Sequence, residues 1–185
     1  MSVRREQFAC CRTSPEKNEL YTGDRVFSTA TLKMGRGNSG KLVTEVKKAM
    51  LKAAPPCELA IVDGSPGIGC PVIASVNGMD LVLVVAEPSG SGISDLKRLC
   101  ATAATLQVQL AVCVNKYDVS PQHTERIETF CRQQGIAFVG KIPFDPMAVR
   151  AVNEGTTVVD IDCPAGRAVR EIFAKLTALL AERSI

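Results

Sequence analysis

Three near-continuous apolar runs constrain most strongly what this chain can fold into. They occupy Leu59 to Val62, Leu81 to Ala86 and Leu110 to Val114. Runs that lack polar alternation are typical of parallel strands that helices cover on both faces. A helical apolar pattern from about Ser91 to Leu106 separates the second run from the third. Right-handed crossovers then predict a doubly wound, mostly parallel α/β sheet with helices on both faces.

Weaker patterns extend this scheme in both directions. Residues 1 to 24 are polar and basic without a useful period, so we expect a loose N-terminal arm there and one α/β domain over residues 25–185. The remaining predicted elements are a strand from Val26 to Met34, a helix that Pro55-Pro56 stops, a helix from Ser120-Pro121 to about Gly135, a strand from Ala137 to Ile142, and a helix from about Ala165 to Arg183.

Composition excludes several classes of protein. The chain has 185 residues, is 46% hydrophobic and carries a net charge of +3 spread along its length, which predicts one core and no nucleic-acid partner. No apolar run approaches the ~20 residues of a membrane-spanning helix. Eight cysteines occur without a secretory signal or a C-x-x-C pair, so we expect a cytoplasmic protein with reduced, mostly buried thiols and no iron–sulfur cluster within this chain.

The first apolar run ends in an aspartate and continues into a loop rich in glycine and proline. A carboxylate at a strand end can hold a magnesium-bound water, and Gly67 lets the backbone approach a terminal phosphate. Asp63 is therefore the candidate catalytic and metal-binding residue, with Gly64, Pro66 and Gly67 as nucleotide-binding candidates. The simpler alternative is a strand-end aspartate that caps its own turn.

A second candidate site follows the third apolar run. Asn115, Lys116 and Asp118 fit the N-K-x-D pattern, in which the amide bonds a base edge, the lysine lies along the sugar and the carboxylate accepts guanine N–H groups. Pro143 and Asp145 follow the next strand and would form a wall and an edge of the same base pocket. The alternative for this motif is a polar turn.

Residues Gly35 to Lys41 fit the G-x-x-x-x-G-K phosphate-loop pattern, but Leu42 stands where a magnesium-binding hydroxyl is needed. The loop also lies only one helix before Asp63. We therefore expect a mobile loop near the nucleotide, or a plain helix entrance. His123, the single histidine, is expected to be a solvated residue.

Four segments together resemble the MinD/ParA/Mrp superfamily of P-loop ATPases, and its ferredoxin-inserted branch most closely. The resemblance covers about Val26 to Gly155, and the segments that carry it are Asn38 to Val43, Asp63 to Pro71, Glu87-Pro88 with Asp95, and Asn115 to Asp118. It implies ATP and Mg²⁺ as ligands, with Asp63 as the Walker B carboxylate and Gly67 near the γ-phosphate. Asn115 and Pro143 would then contact adenine. Gly67 lies four residues after Asp63, which is similar to these ATPases and unlike small GTPases.

The chain also departs from the family pattern. Ser65 stands where a proline is more usual, and the family's first strand and K-G-G-x-G-K-[ST] loop are not in the sequence. The resemblance therefore implies the C-terminal part of an ATP-binding domain that is hydrolytically incomplete alone. A homodimer or a missing N-terminal half would complete it, and an iron–sulfur or redox protein is the implied partner. The alternatives are a non-catalytic interaction module, which keeps the fold and docks through its exposed first-strand edge or C-terminal helix, and a GTP switch that rests on Asp118.

Overall fold

The computed structural model describes residues 18–21, 26–30, 39–54, 57, 59–65 and 67–183. The chain divides into two compact units, Met1–Asn77 and Gly78–Ile185. The first unit contains an antiparallel pair of strands with two helices, and the second contains a parallel sheet.

The first unit opens with a short strand pair. β1 (Asn18–Tyr21) runs antiparallel to β2 (Phe27–Ala30), with Asn18 opposite Ala30. β2 lies within the predicted strand from Val26 to Met34. β1 falls inside the expected arm, so that stretch contains regular structure, and residues 1–17 lie outside the described residues. The boundary between arm and domain stays a prediction.

Two helices complete the first unit. α1 (Ser39–Ala53) ends two residues before Pro55, and it packs on β2 and on α2 (Cys70–Val76). Ser28 is buried and donates through Oγ to the carbonyl of Val46 at 3.0 Å, which fixes β2 on α1. The two helices approach closely at Gly40, where a Cβ atom would lie 3.1 Å from the carbonyl oxygen of Cys70. α2 was not predicted from the sequence.

The predicted strand from Leu59 to Val62 is wrong. The backbone of this segment pairs with no strand of the described residues, and Leu59 and Ile61 are 38% and 37% exposed. The reason is that a strand needs a neighbour to satisfy its N–H and C=O groups. In the described part of the first unit, β1 and β2 pair only with each other.

The second unit is a three-stranded parallel sheet with helical connections. Its strands stand in the order β3-β4-β5, with Leu81 opposite Gln109 and Asn115 opposite Ile142. The predicted α/β class is confirmed. The elements are β3 (Leu81–Ala86), α3 (Gly90–Leu106), β4 (Gln109–Asn115), α4 (Pro121–Gln134), β5 (Ala137–Ile142), α5 (Pro146–Asn153) and α6 (Pro164–Arg183).

Helices cover both faces of this sheet because successive strand residues point to opposite sides. One face packs against α3 and α4 through Ala86, Val112, Val114, Leu96, Ile127 and Cys131. The other packs against α6 through Ala111, Cys113, Val139 and Ile172, with Leu176 and Leu179 alongside. Gly140 has φ +157°, and a Cβ there would lie 2.8 Å from Cγ1 of Ile172, so glycine allows α6 to approach β5.

Candidate functional site

The carboxyl ends of β3, β4 and β5 bring the predicted base-binding residues to one edge of the sheet. Asn115 is the last residue of β4 and stands opposite Ile142, the residue before Pro143. Parallel strands in register place these ends side by side. The structure therefore places Asn115 and the start of the β5 loop at neighbouring positions, as their places after strands predicted.

Lys116 has an unusual backbone conformation. Its φ of +52° lies in the left-handed region, which a residue with a side chain adopts at a cost. Nζ of Lys116 lies 3.7 Å from Oε1 of Glu87, the residue after β3, and both side chains are about half exposed. An exposed pair of this kind adds little stability.

Asp118 links the loops after β4 and β5. Its Oδ1 accepts a hydrogen bond from the backbone N–H of Phe144 at 2.8 Å. This bond occupies one of the two oxygens that a guanine-reading carboxylate would present. Through this contact Asp118 positions the loop after β5, whether or not a nucleotide base is bound.

Asp145 caps two helices at once. Its Oδ1 accepts from the N–H of Met147 at 2.9 Å in α5, and its Oδ2 accepts from the N–H of Ala165 at 3.1 Å in α6. These two bonds, with that to Ala165 the stronger influence, hold the pKa of the carboxyl below its ordinary value. Both carboxylate oxygens of Asp145 are thus bonded within the protein.

Phe144 belongs to this edge although the sequence analysis did not select it. Its side chain is 54% exposed, between Pro143 and the helix-capping Asp145. The sequence contains a signal for it, because only 4% of the residues are aromatic and this ring lies two residues after the end of β5. An exposed ring at this place can stack on a planar base.

The first unit holds the other predicted residues. Asp63 and Gly64 are exposed, and in the described part of the chain the Asp63 carboxylate has no hydrogen-bond or ion-pair partner. Gly67 has φ +94°, a conformation that suits glycine, and Pro66 lies outside the described residues. No cluster of three or more metal-ligating side chains occurs among the described residues. One free carboxylate still fits Mg²⁺, which keeps several waters and takes its other ligands from phosphates.

The G-x-x-x-x-G-K segment is described only from Ser39. Ser39, Gly40 and Lys41 form the start of α1, and Gly35 to Asn38 lie outside the described residues. The hydroxyl of Thr44, two residues after Leu42, donates to the carbonyl of Gly40 at 3.0 Å. The described part is the start of helix α1, which is one of the two structures that the sequence predicted for this segment.

Among the described histidine and cysteine side chains, the Cys163 thiol bonds to the carboxylate of Asp145. Nδ1 of His123 lies 2.7 Å from Oγ of Ser120, and the residue is partly buried, so its solvation stays a prediction. The described thiols are free, and they divide into exposed, half-buried and buried groups. Burial raises the pKa of both Cys113 and Cys131 to about 11.

Several curated proteins and solved structures are similar to this chain. No family model matches the chain. An ATP-binding protein of Methanocaldococcus jannaschii is 33% identical over 171 residues, which is 86% of this chain and 62% of that protein. The iron–sulfur cluster carrier protein of Pyrococcus furiosus is 30% identical over 158 residues, which is 77% of this chain and 54% of that protein. The chain thus spans about half the length of curated relatives that it matches.

Solved structures share the fold. MinD of Aquifex aeolicus matches with a TM-score of 0.61 at 22% identity, over 75% of this chain and 61% of that chain. The cell division ATPase MinD of Pyrococcus furiosus matches with a TM-score of 0.63 at 16% identity, over 83% of this chain and 66% of that chain. No helix in the described residues has the length and apolar character to cross a bilayer. The relatives and the shared fold confirm the resemblance of this chain to the MinD/ParA/Mrp superfamily.

Proposed function

We propose that this chain binds ATP, with adenine at the carboxyl ends of β4 and β5. The observation that carries the proposal is the placement of Asn115 at the end of β4, opposite the residue that leads into Pro143 and Phe144. An amide beside two flat apolar groups suits a purine, which needs hydrogen bonds at its edge and contact on its faces. The ATP-binding relative supports the choice of ligand.

Each residue at this edge would have its own role in ATP binding. Asn115 would bond the purine edge, Pro143 and Phe144 would contact its face, and Lys116 would lie along the sugar. Asp118 would hold the β5 loop through Phe144 rather than read a guanine, because Oδ1 already accepts that N–H. Adenine is therefore preferred to guanine. Asp145 would act only through the helices it caps.

Asp63 is the residue we propose for the magnesium side. Its carboxylate is exposed and free of partners in the described part of the chain, as a group that holds a magnesium-bound water must be. Gly67, with positive φ, would let the backbone approach a phosphate, with Gly64 and Pro66 beside it. When bound, Mg²⁺ would neutralise phosphate charge.

Hydrolysis would require more than these residues. Most of a triphosphate's charge is held by a phosphate loop and its lysine in proteins of this mechanism. We propose that a homodimer or a separate half of the domain supplies them, and that the ATP site serves iron–sulfur or redox work in the cytoplasm. The iron–sulfur carrier relatives motivate this last step.

Calorimetry with Mg²⁺ and ATP tests the proposal. Asn115→Ala should weaken binding by about 10-fold, the equivalent of one or two lost hydrogen bonds. Asn153→Ala, at an exposed position at the end of α5, is the matched control and should bind as wild type does. Asp63→Ala should weaken binding only when Mg²⁺ is present, with Glu171→Ala as its exposed control. Equal binding by Asn115→Ala and Asn153→Ala would reject the adenine assignment.

A second candidate function is a non-catalytic interaction module, and one observation favours it. Two apolar side chains of β3, Leu83 and Val85, are 36% and 54% exposed. Association with another protein that is indifferent to both nucleotide and Asp63→Ala would support this function. Association that is lost without nucleotide, or lost in Asp63→Ala, would favour the nucleotide-binding protein.

A further inference from the structure

The two helices on the sheet face away from α6 leave a groove between them. This α3/α4 groove has a volume of about 620 Å³ and is lined by residues from Gly90, at the start of α3, to Gln133, near the end of α4. Small-molecule sites in proteins are commonly of this volume. The groove is therefore large enough for a ligand with one or two rings.

The floor of the α3/α4 groove is apolar. Ile93 of α3 and Phe130 of α4 line it, and both are partly buried because they pack against the core below the two helices. Nζ of Lys97 lies 5.7 Å from the centroid of the Phe130 ring. A cation at this distance is attracted to the face of an aromatic ring. A ligand in the groove would therefore meet an aromatic surface and a positive charge together.

The charged residues that line the groove carry more positive than negative charge. Lys97 and Arg126 are its cations, and Glu125 is the one carboxylate among the lining residues. Neither cation forms an ion pair with any carboxylate of the described residues. Glu125 and Arg126 are consecutive in α4, and consecutive side chains of a helix do not face each other. Both cations are therefore available to an anion.

A hydroxyl without a partner adds a third donor to the groove. Thr129 lines the groove and is partly buried, and its hydroxyl makes no hydrogen bond in the part of the chain that the structure describes. The other threonines of the described helices all donate to the carbonyl four residues earlier; they are Thr44, Thr102, Thr105, Thr124 and Thr177. Because the Thr129 hydroxyl lacks this bond, it is free to donate to a ligand.

We propose that the α3/α4 groove binds a small organic anion that carries a carboxylate on a flat apolar body. Arg126 and Lys97 would bind the carboxylate, and Thr129 would donate a hydrogen bond to it. The apolar body would lie against Phe130 and Ile93. Two cations and one carboxylate in the lining suit a monoanion better than a phosphate dianion. This site goes beyond the proposed ATP site and does not depend on it.

NMR spectroscopy with a model ligand tests the proposal. The full chain, without nucleotide, is titrated with β-naphthoate while ¹⁵N–¹H spectra are recorded. The amide signals of Lys97, Arg126 and Thr129 should shift together and saturably at millimolar concentrations of the ligand. β-Naphthamide has the same rings without the charge, and it should bind at least about 3-fold more weakly, the usual effect of an exposed ion pair.

Matched variants show which side chains bind the anion. Arg126→Ala should weaken β-naphthoate binding by at least about 3-fold, because it removes one of the two cations. Arg98→Ala removes an exposed cation of α3 outside the groove and is the control. Thr129→Val removes the free hydroxyl at nearly unchanged volume and should weaken binding by about 3-fold. Thr105→Val, at an exposed position near the end of α3, should bind as wild type does. The spectra of the free variants report whether each is folded.

Several results would overturn the proposal. They are the absence of saturable shifts with β-naphthoate, shifts confined to residues outside the groove, equal affinity for β-naphthoate and β-naphthamide, and equal weakening by Arg126→Ala and Arg98→Ala. Saturable shifts in the groove of a chain that binds no ATP would support this site and reject the proposed ATP site alone. Shifts with ATP at the strand ends, without shifts with β-naphthoate in the groove, would reject this site alone.

Discussion

At the scale of single residues, the thiols differ in reactivity because they differ in burial. Burial holds the pKa of Cys113 and Cys131 at about 11, so both stay protonated at neutral pH, and a protonated thiol is a poor nucleophile. Cys57 and Cys70 are exposed. We expect iodoacetamide to modify Cys57 and Cys70 in the native protein, and Cys113 and Cys131 only after unfolding. Peptide mass spectrometry would detect the difference, and early labelling of Cys113 would contradict the packing of β4.

Asp145 should make stability depend on pH. The bonds from the N–H groups of Ala165 and Met147 hold its folded pKa below the ordinary value of 3.8. The unfolded state therefore binds the proton more tightly, so the stabilisation is present above pH 3.8 and is lost as pH falls through the folded pKa. Asp145→Ala should lower the thermal midpoint at neutral pH and flatten its acid dependence. Asp162→Ala is the control, because its exposed carboxylate pairs only with Arg167 in the described residues.

Some residue positions followed from the sequence and others did not. Asn115 was expected at a strand end because a polar residue directly followed an apolar run, and the structure places it there. The bond from Phe144 to Asp118 joins residues 26 positions apart, and no local pattern encodes it. The left-handed conformation of Lys116 has no sequence signal either, because a lysine adopts it only where surrounding contacts impose it.

At the scale of secondary-structure elements, one lysine fixes the end of α2. Nζ of Lys47 donates to the carbonyls of Ala74, Ser75 and Asn77 at 3.1, 3.1 and 2.6 Å. These are carbonyls that the end of a helix leaves without partners, and a cation there also suits the helix dipole. Burial lowers the pKa of Lys47, and the three acceptors favour its charged form.

We expect Lys47→Met to destabilise the first unit by about 1 kcal/mol or more, the usual loss for hydrogen bonds to a charged group. Lys48→Met is the control, because Lys48 is exposed and contacts only Glu45, at 3.4 Å, in the described residues. Hydrogen exchange of the α2 amides would measure the effect locally. Equal exchange in the two variants would show that the three carbonyl contacts do not stabilise α2.

Helices and strands whose own residues carry a clear pattern could be predicted. A strand that needs a pairing partner elsewhere in the chain could not. β5 was predicted with its observed bounds, Ala137–Ile142, because an apolar stretch begins just after the Gly135 that ends α4. α5 was missed although Asp145 and Pro146 are a cap and a first-turn proline. Leu59 to Val62 has the composition of a strand, but no strand of the described residues pairs with it.

At the scale of the whole molecule, we expect the protein to bind ATP but not to hydrolyse it without a partner. The described residues supply an amide, an aromatic ring and a free carboxylate, and Leu42 stands where a magnesium-binding hydroxyl is needed. ATP hydrolysis by the purified chain should therefore stay at the level of the buffer. A phosphate-release assay would measure it, and turnover that Asp63→Ala abolishes would show that the chain completes its own site.

ATP is proposed to bind at the carboxyl ends of β4 and β5. The most direct test is to record ¹⁵N–¹H NMR spectra of the chain while Mg²⁺ and ATP are added. We expect the amide signals of Asn115, Lys116 and Phe144 to shift together and saturably, while those in the middle of α4 do not. GTP should produce smaller shifts. No shift at saturating ATP, or shifts confined to other parts of the chain, would contradict it.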